Sequence, residues 1–479
     1  MKKIMNNNYV VFLNILIIVY SLYICLSVFK EKAVLTDDLA GFYVLPSVSG
    51  SYFRFIYSFL NSQIMAARPV SGVVTGTLTF FSKNNESVYF MGLLFFPLSL
   101  MVLYGVARKM ISKELASLFT LLYACSSIGT SIQFSTIMLN SNLATIFFAL
   151  SIYYAYVWKN TFISALFFIA SVFSYEIFLP LIFLNLFLIK ENKKRIVFAV
   201  LTIGIIVVFR KIIQPNLFAN SYQRDEIGKV FELKRVMFVA MCAAKLFFRD
   251  FFEGIYKAFL NLRKMNVFEI LLSLLMTSAV YKIFCNYDFT SKIQDYKKLA
   301  IISFISILAG MSIYIFSSYI PTLFGFENRN LGAIRLFYTL FIISVVIYLS
   351  VTLKLHSRII SAILAGIALV FIITNISVKN SWMYASKFNN ELFSKLNTAL
   401  KEQHIETGEI CVDYDVFNQI KTNPNLTFRE PLFYKDWESP MLCKINGIDP
   451  LKIHVHNVET KEDCAVVFQY KNGKMTRTK

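Results

Sequence analysis

Residues 161–189, TFISALFFIASVFSYEIFLPLIFLNLFLI, decide how the chain is threaded. As a single helix rising 1.5 Å per residue, this apolar run would reach about 44 Å, well beyond the ~30 Å hydrocarbon core of a bilayer. It is short for two full spans. Tyr175 and Glu176 sit at its middle and Pro180 follows.

Charge chooses between one crossing and two. Other apolar runs long enough to span, or nearly so, lie at about 10–29, 88–106, 115–133, 142–158, 196–213, 267–286, 299–320, 333–352 and 359–378. Between them fall five basic clusters. These are Lys2 and Lys3; Arg108, Lys109 and Lys113; Lys190, Lys193, Lys194 and Arg195; Lys292, Lys297 and Lys298; and Lys354 and Arg358. Short basic loops favour the cytoplasm. All five clusters share that side only if 161–189 crosses twice, as a tight hairpin. The expected fold is therefore an all-α polytopic membrane protein of about eleven segments. Its N-terminus is expected inside and its C-terminus outside. The first run, too long for a typical signal-peptide core and lacking a small-x-small cleavage site, reads as an uncleaved helix.

Composition agrees with that class. Of 479 residues 56% are hydrophobic, and the mean hydropathy is +0.57, more apolar surface than a soluble chain could cover. Aromatics make up 16%. Phe suits lipid contact and Tyr the interface. The net charge of +19 is dispersed over short loops and forms no stripe, which argues against nucleic acid as a partner and for membrane lipids.

On this count the membrane body is 1–378, with outer loops 30–87 and 214–266 and a short outer loop 321–332. The loop 214–266 carries Arg224, Asp225, Glu226, Lys234, Arg235, Lys245, Arg249 and Asp250, and its 236–262 stretch has the mixture of Phe and cations of an interfacial helix. Residues 379–479 form a polar tail: a helical pattern at 384–403, then β-like runs at 410–414, 452–455 and 465–470. About a hundred residues suffice for one small α+β domain, expected on the periplasmic side. Its role is either acceptor recognition and cleft closure or plain packing over the outer loops. Two of its cysteines, Cys411, Cys443 and Cys464, can pair in an oxidising compartment, leaving one free.

The candidate chemistry lies in the outer regions. Asp37-Asp38 follows the first apolar run directly. The pair reads either as the N-cap of a following helix or as a general base for an acceptor hydroxyl. Arg68, in Ala67-Arg68-Pro69-Val70, either snorkels or grips a phosphate. Glu176, beside Tyr175, is a carboxylate in an apolar hairpin, which by default is a functional position. Glu327-Asn328-Arg329, with Arg335 behind it, reads as a loop-fixing ion pair or as a cationic cradle for a departing phosphate. His454 and His456 share a strand face but lack a third ligand of suitable spacing, so no metal site is expected. No nucleotide-binding loop or nucleophile elbow is present.

With these residues in view, the chain resembles the serotype-converting O-antigen glucosyltransferases, the type II Gtr family, whose architecture is GT-C-like. The resemblance rests on Asp37-Asp38 after the first helix, Arg68-Pro69-Val70 some thirty residues on, and Tyr175-Glu176 with Phe178-Leu179 in the membrane region. Ala67, Val70 and Glu176 depart from the Gly-Arg-Pro-Leu and Tyr-Gln usual there. The resemblance implies a polyprenyl-phosphate sugar donor, glucosyl in the family, and an O-antigen acceptor at the outer face of the bacterial inner membrane. It implies Asp37 or Asp38 as base, and Arg68, Arg329 and Arg335 as contacts to donor phosphate or sugar, with Tyr175 and Glu176 beside them. No cofactor is required, although a divalent cation could assist. An O-antigen polymerase or ligase would carry its large functional loop late in the chain and between helices. A flippase would show inverted repeats. Neither pattern is found.

Overall fold

The computed structural model describes residues 2–44, 50–62, 65–218, 233–317, 319–461 and 463–479. Arg224, Asp225 and Glu226 lie outside the described residues. Among the described residues six helices are long and apolar enough to cross a membrane: Asn7–Glu31, Glu86–Met110, Asn192–Leu217, Val267–Phe284, Phe326–Thr352 and Ser357–Glu402. Helices Lys113–Cys125, Leu139–Tyr156, Thr161–Ser174, Ile182–Leu188 and Ile293–Ser312 occupy the remaining expected segments.

The hairpin is present. Helix Thr161–Ser174 stops at Tyr175, whose backbone is extended (φ −157°, ψ 117°), and a 3₁₀ turn Glu176–Leu181 leads into Ile182–Leu188. The Asn185 amide donates to Ser164 Oγ at 3.1 Å and to Ser151 Oγ at 2.6 Å. In one straight helix Ser164 and Asn185 would be about 30 Å apart, so the chain has doubled back.

One expected span is corrected. The run 115–133 is helical only over Lys113–Cys125, then turns through Gly129 (φ +72°) before the short helix Ser131–Phe134. Ser126, Ser127 and Thr130 crowd that turn and are buried. Short polar side chains bond nearby backbone groups and compete with the helix.

The threading gathers the basic loops at one end. Lys113 donates to Asn7 Oδ1 (2.7 Å), Tyr287 to Ser112 Oγ (2.9 Å), and Ser357 to the Cys285 carbonyl (3.1 Å). At the opposite end Lys379 pairs with Glu269, and the Tyr23 hydroxyl donates to that carboxylate at 3.0 Å. Three spans are thereby tied by charges too costly to leave single at such burial. A lone glutamate in the apolar run 267–286 is the sequence signal for this tie.

The last span and the tail are one helix. Ser357–Glu402 runs unbroken through the expected boundary at 378 and delivers the chain to a four-stranded sheet. Strands β1 (Gly408–Asp413), β2 (Ile453–Asn457), β3 (Val466–Lys471) and β4 (Lys474–Arg477) lie in the order β2-β1-β3-β4. β1 is parallel to both neighbours, and β4 returns antiparallel on β3. Cys411 and Cys464 form a disulfide, and Cys443 is the buried free thiol of the tail.

The tail is seated on the body rather than hung from it. Phe428, buried, fills the space over Gly254 so closely that a Cβ there would overlap its ring. The Gly325 N–H donates to the Phe428 carbonyl at 2.9 Å, and the Arg429 guanidinium stacks on Phe324 at 3.9 Å. Gly254→Ala is expected to destabilise this seat by about 1–3 kcal/mol through overpacking. Limited proteolysis of the membrane-embedded chain should then release the tail faster than from the parent.

Candidate functional site

Two adjacent aspartates receive different environments from one short helix, Asp37–Val44. Asp38 points inward. It is buried and accepts from the Tyr89 hydroxyl (2.9 Å) and from the backbone N–H groups of Thr136 (3.2 Å) and Ile137 (2.9 Å). Burial pushes its carboxyl up to about 6, against the pull of the Ile137 and Tyr89 hydrogen bonds. Asp37 points outward, with its side chain 30% exposed, and meets Arg329 at 2.6 Å. These partners are 292 residues apart in sequence.

From Arg329 a continuous polar chain runs across the site. The guanidinium stacks on Phe326 (4.2 Å) and lies 3.6 Å from Glu327. Glu327 accepts from the Asn330 amide at 2.8 Å, and Asn330 in turn accepts from the Tyr175 hydroxyl at 2.5 Å. The Tyr175 ring carries the Arg68 guanidinium at 4.4 Å. Arg68 closes a two-pronged pair with Glu176, at 2.8 Å through Nε and 2.6 Å through Nη2. Side chains of that pair are 8% and 15% exposed, respectively.

Local sequence explains each placement. Pro69 opens helix Pro69–Ser82 and leaves Arg68 at its N-cap, held by the Ser71 hydroxyl's bond to the Ser174 carbonyl (2.9 Å). Tyr175 and Glu176 stand at the hairpin turn, so both reach the same end as Arg68. Gly325, at φ +63°, turns the chain into the 3₁₀ helix Phe326–Leu331 that aims Arg329 at Asp37.

Six of the seven sequence-derived candidates, Asp37, Asp38, Arg68, Tyr175, Glu176 and Arg329, lie in or directly beneath this chain of contacts. Arg335, read in the sequence as a candidate contact to donor phosphate or sugar, does not join it. It is fully buried and donates to the carbonyls of Tyr123 (2.8 Å), Gly129 (2.7 Å) and Ala124 (3.1 Å). The last carbonyls of helix Lys113–Cys125 lie beyond its regular i+4 bonds, and Arg335 helps to satisfy them together with the Gln133 amide, which donates to the Ala124 carbonyl at 2.8 Å. Tyr89 and Asn330 are positions that sequence reasoning did not assign to a site, whereas Glu327 was read together with Arg329. Asn330 adjoins Arg329, whereas nothing in the pattern around Tyr89 points to Asp38. Among the described residues no group of three or more His, Cys, Asp or Glu side chains is placed to hold a metal ion.

No family model and no curated protein matches the chain. Among solved structures, two crystal structures of ArnT from Cupriavidus metallidurans are similar in outline. That of the apo state gives a TM-score of 0.29 at 11% identity and covers 88% of each chain. That bound to undecaprenyl phosphate gives 0.30 at 12% identity, covering 90% of this chain and 91% of that one. Neither supplies a residue correspondence.

Two outcomes follow from the geometry. Glu176→Gln, which strands a buried guanidinium, is expected to cost about 3–5 kcal/mol, and the double variant Arg68→Met/Glu176→Leu much less. A thermal-unfolding double-mutant cycle reads the difference. The second concerns Asp38. Folded, it holds its proton to about pH 6; unfolded, it releases it near 3.8. Its contribution to stability is therefore full below about pH 4 and is lost as pH rises through about 6. Asp38→Asn should flatten this part of the melting-temperature profile between those values relative to the parent.

Proposed function

We propose that the chain is a GT-C-like membrane glycosyltransferase that moves a sugar from a polyprenyl-phosphate donor to a lipid-linked or growing O-antigen chain. The observation that carries this reading is the Asp37–Arg329 contact. It sets a water-accessible carboxylate against a guanidinium at the end of the bundle opposite the basic loops. Positive-inside bias makes that end periplasmic, with the N-terminus cytoplasmic and the C-terminus outside in the bacterial inner membrane.

The chemistry suits these groups. An acceptor hydroxyl is a weak nucleophile at neutral pH and needs a base. A lipid-phosphate donor brings its own leaving group, so no nucleotide pocket is needed. As the donor phosphate arrives, Arg329 exchanges Asp37 for the phosphate oxygens, which frees the carboxylate. Asp37 then takes the proton of the acceptor hydroxyl while its oxygen attacks the anomeric carbon. The bond from that carbon to the phosphate oxygen breaks, and its electron pair leaves on polyprenyl phosphate, with inversion at carbon. Arg329 stabilises the charge that grows on the leaving group. Arg68 is already neutralised by Glu176, and it positions Tyr175 and the hairpin tip beside the donor. Asp38, saturated from three sides, holds the Asp37 helix and is a positioning residue.

The reading requires no cofactor; a divalent cation would add to the charge that Arg329 supplies. Glucose as the transferred sugar follows the Gtr resemblance. The test is transfer from a synthetic polyprenyl-phosphoglucose by the full chain in nanodiscs. Asp37→Asn is expected to lower kcat by about 10²–10⁴, the usual worth of a general base, while the chain still inserts. Arg329→Lys should retain only part of the rate, since an ammonium lacks the planar fork. Normal turnover by Asp37→Asn would remove the assigned base.

A further inference from the structure

Beyond the network at the membrane surface, the C-terminal domain holds a cleft of about 1120 Å³ that the proposed chemistry does not use. It opens where the carboxyl ends of β1 and β3 meet the outward part of helix Ser357–Glu402. The strand order around β1 explains why a cleft forms there. The chain leaves β1 to pair on one side as β2 and then crosses to the other side as β3. Connections on the two sides diverge, and in open parallel sheets ligands bind at this reversal, beyond the carboxyl ends of the strands.

The lining is mixed in a particular way. Tyr384, Phe388 and Tyr470 form an aromatic wall, with Phe388 5.8 Å from Tyr470 and 5.4 Å from the buried Tyr414 behind it. The rest of the lining includes planar polar groups: Asp413 at the end of β1, Asp415 just before the helix that follows, Asn418 and Gln419 from that helix, and Gln469. Asp415 adopts a left-handed backbone (φ +51°), an uncommon conformation for a residue other than glycine. Glu391 is engaged by the Tyr470 hydroxyl at 2.9 Å, which fixes the aromatic ring at the mouth. Four carboxylates (Glu391, Asp413, Asp415, Glu459) face two ammonium groups (Lys387, Lys471). That balance disfavours phosphate and other polyanions.

Apolar ring faces beside carboxylates and amides match one ligand chemistry: the C–H faces and vicinal hydroxyls of a neutral saccharide. The volume is sufficient for several sugar units. Position fits as well. Tyr384 and Glu391 lie about 8 and 18 Å along the helix from Lys379, where the span leaves its buried tie to Glu269. Lys387 at the rim pairs with Glu31 at 3.1 Å, the last residue of the helix that precedes Asp37.

We infer that this cleft binds a neutral oligosaccharide, the acceptor chain, and holds it upright above the Asp37–Arg329 site. The assignment of the sugar as acceptor rests on the proposed transferase reading; binding itself does not. The experiment uses the full chain in nanodiscs and, as probe, the host's neutral surface polysaccharide freed of lipid by mild acid, with heparin as the polyanion control. Saturation-transfer NMR is expected to show binding of the neutral chain and none of heparin. Asn418→Trp, which fills the cleft from an exposed helix position, and Asp415→Asn, which removes a carboxylate without forcing the backbone, should each weaken binding at least about tenfold, while Asp37→Asn binds as the parent does. In the transfer assay the two cleft variants should raise the acceptor KM by a similar factor with kcat nearly unchanged, the signature of lost uniform binding. Failure of the neutral chain to bind, preferential binding of heparin, or parent-like affinity in both cleft variants would overturn the inference. Unchanged acceptor KM beside active transfer would remove the cleft and leave the transferase. Glycan binding lost in the cleft variants, with Asp37→Asn still transferring, would leave the cleft and remove the base.

Discussion

The two-pronged contact between Arg68 and Glu176 is the constraint on which the end of the molecule away from the basic loops depends. Neither charge can be left single where the pair sits, because an unpaired ion at that burial costs several kcal/mol. Glu176 is carried by the tip of a hairpin and Arg68 by the end of a loop more than a hundred residues earlier. Their pairing therefore fixes the loop against the hairpin. Tyr175, adjacent to Glu176, then lies under the guanidinium and reaches Asn330. The segment holding Asn330 also carries Arg329, and Arg329 meets Asp37. Four stretches distant in sequence are thus arranged by a single requirement of charge neutralisation.

Much of this was legible in the sequence, for reasons that can be named. The hairpin followed from counting basic loops, since a single crossing would have stranded 190–195 on the wrong side. The contact between Asn185 and Ser164 shows the chain returning as that count requires. The acidic doublet, the arginine at Arg68 and the lone Glu176 stood out because charges in apolar surroundings are expensive and must have partners. What the sequence left hidden was which partner. Arg335 lies on the same segment as Arg329, and both are cations near a membrane boundary. Only the fold reveals that Arg335 faces the open carbonyls at the end of helix Lys113–Cys125. Likewise the break after Cys125 was present as Ser126, Ser127, Gly129 and Thr130, yet the surrounding apolar run masked it.

The division between Asp37 and Asp38 illustrates how a helix start assigns roles to like neighbours. Adjacent residues on a helix point about 100° apart. One carboxylate is turned into the protein and becomes a scaffold, saturated by Tyr89 and two backbone N–H groups. The other faces water and a single guanidinium. Sequence alone offered both the capping and the catalytic reading for the pair; in the structure Asp38 bonds Tyr89 and the backbone of Thr136 and Ile137 rather than the start of its own helix, and Asp37 meets Arg329. Above this site the long helix Ser357–Glu402 carries the tail as a rigid post, and Phe428 in its seat over Gly254 keeps the small sheet close to the loops that hold Arg329.

On the proposed function, Arg329 and its neighbours form the seat of a lipid-linked phosphate at the end of the bundle away from the basic loops. A cryo-EM map of the full chain with bound polyprenyl phosphate tests it most directly. The account predicts phosphate density within hydrogen-bond reach of Arg329, with the Asp37 carboxylate displaced from the guanidinium. Phosphate density among Lys113, Lys292 and Arg358 at the opposite end, with the Asp37–Arg329 contact intact, would contradict it.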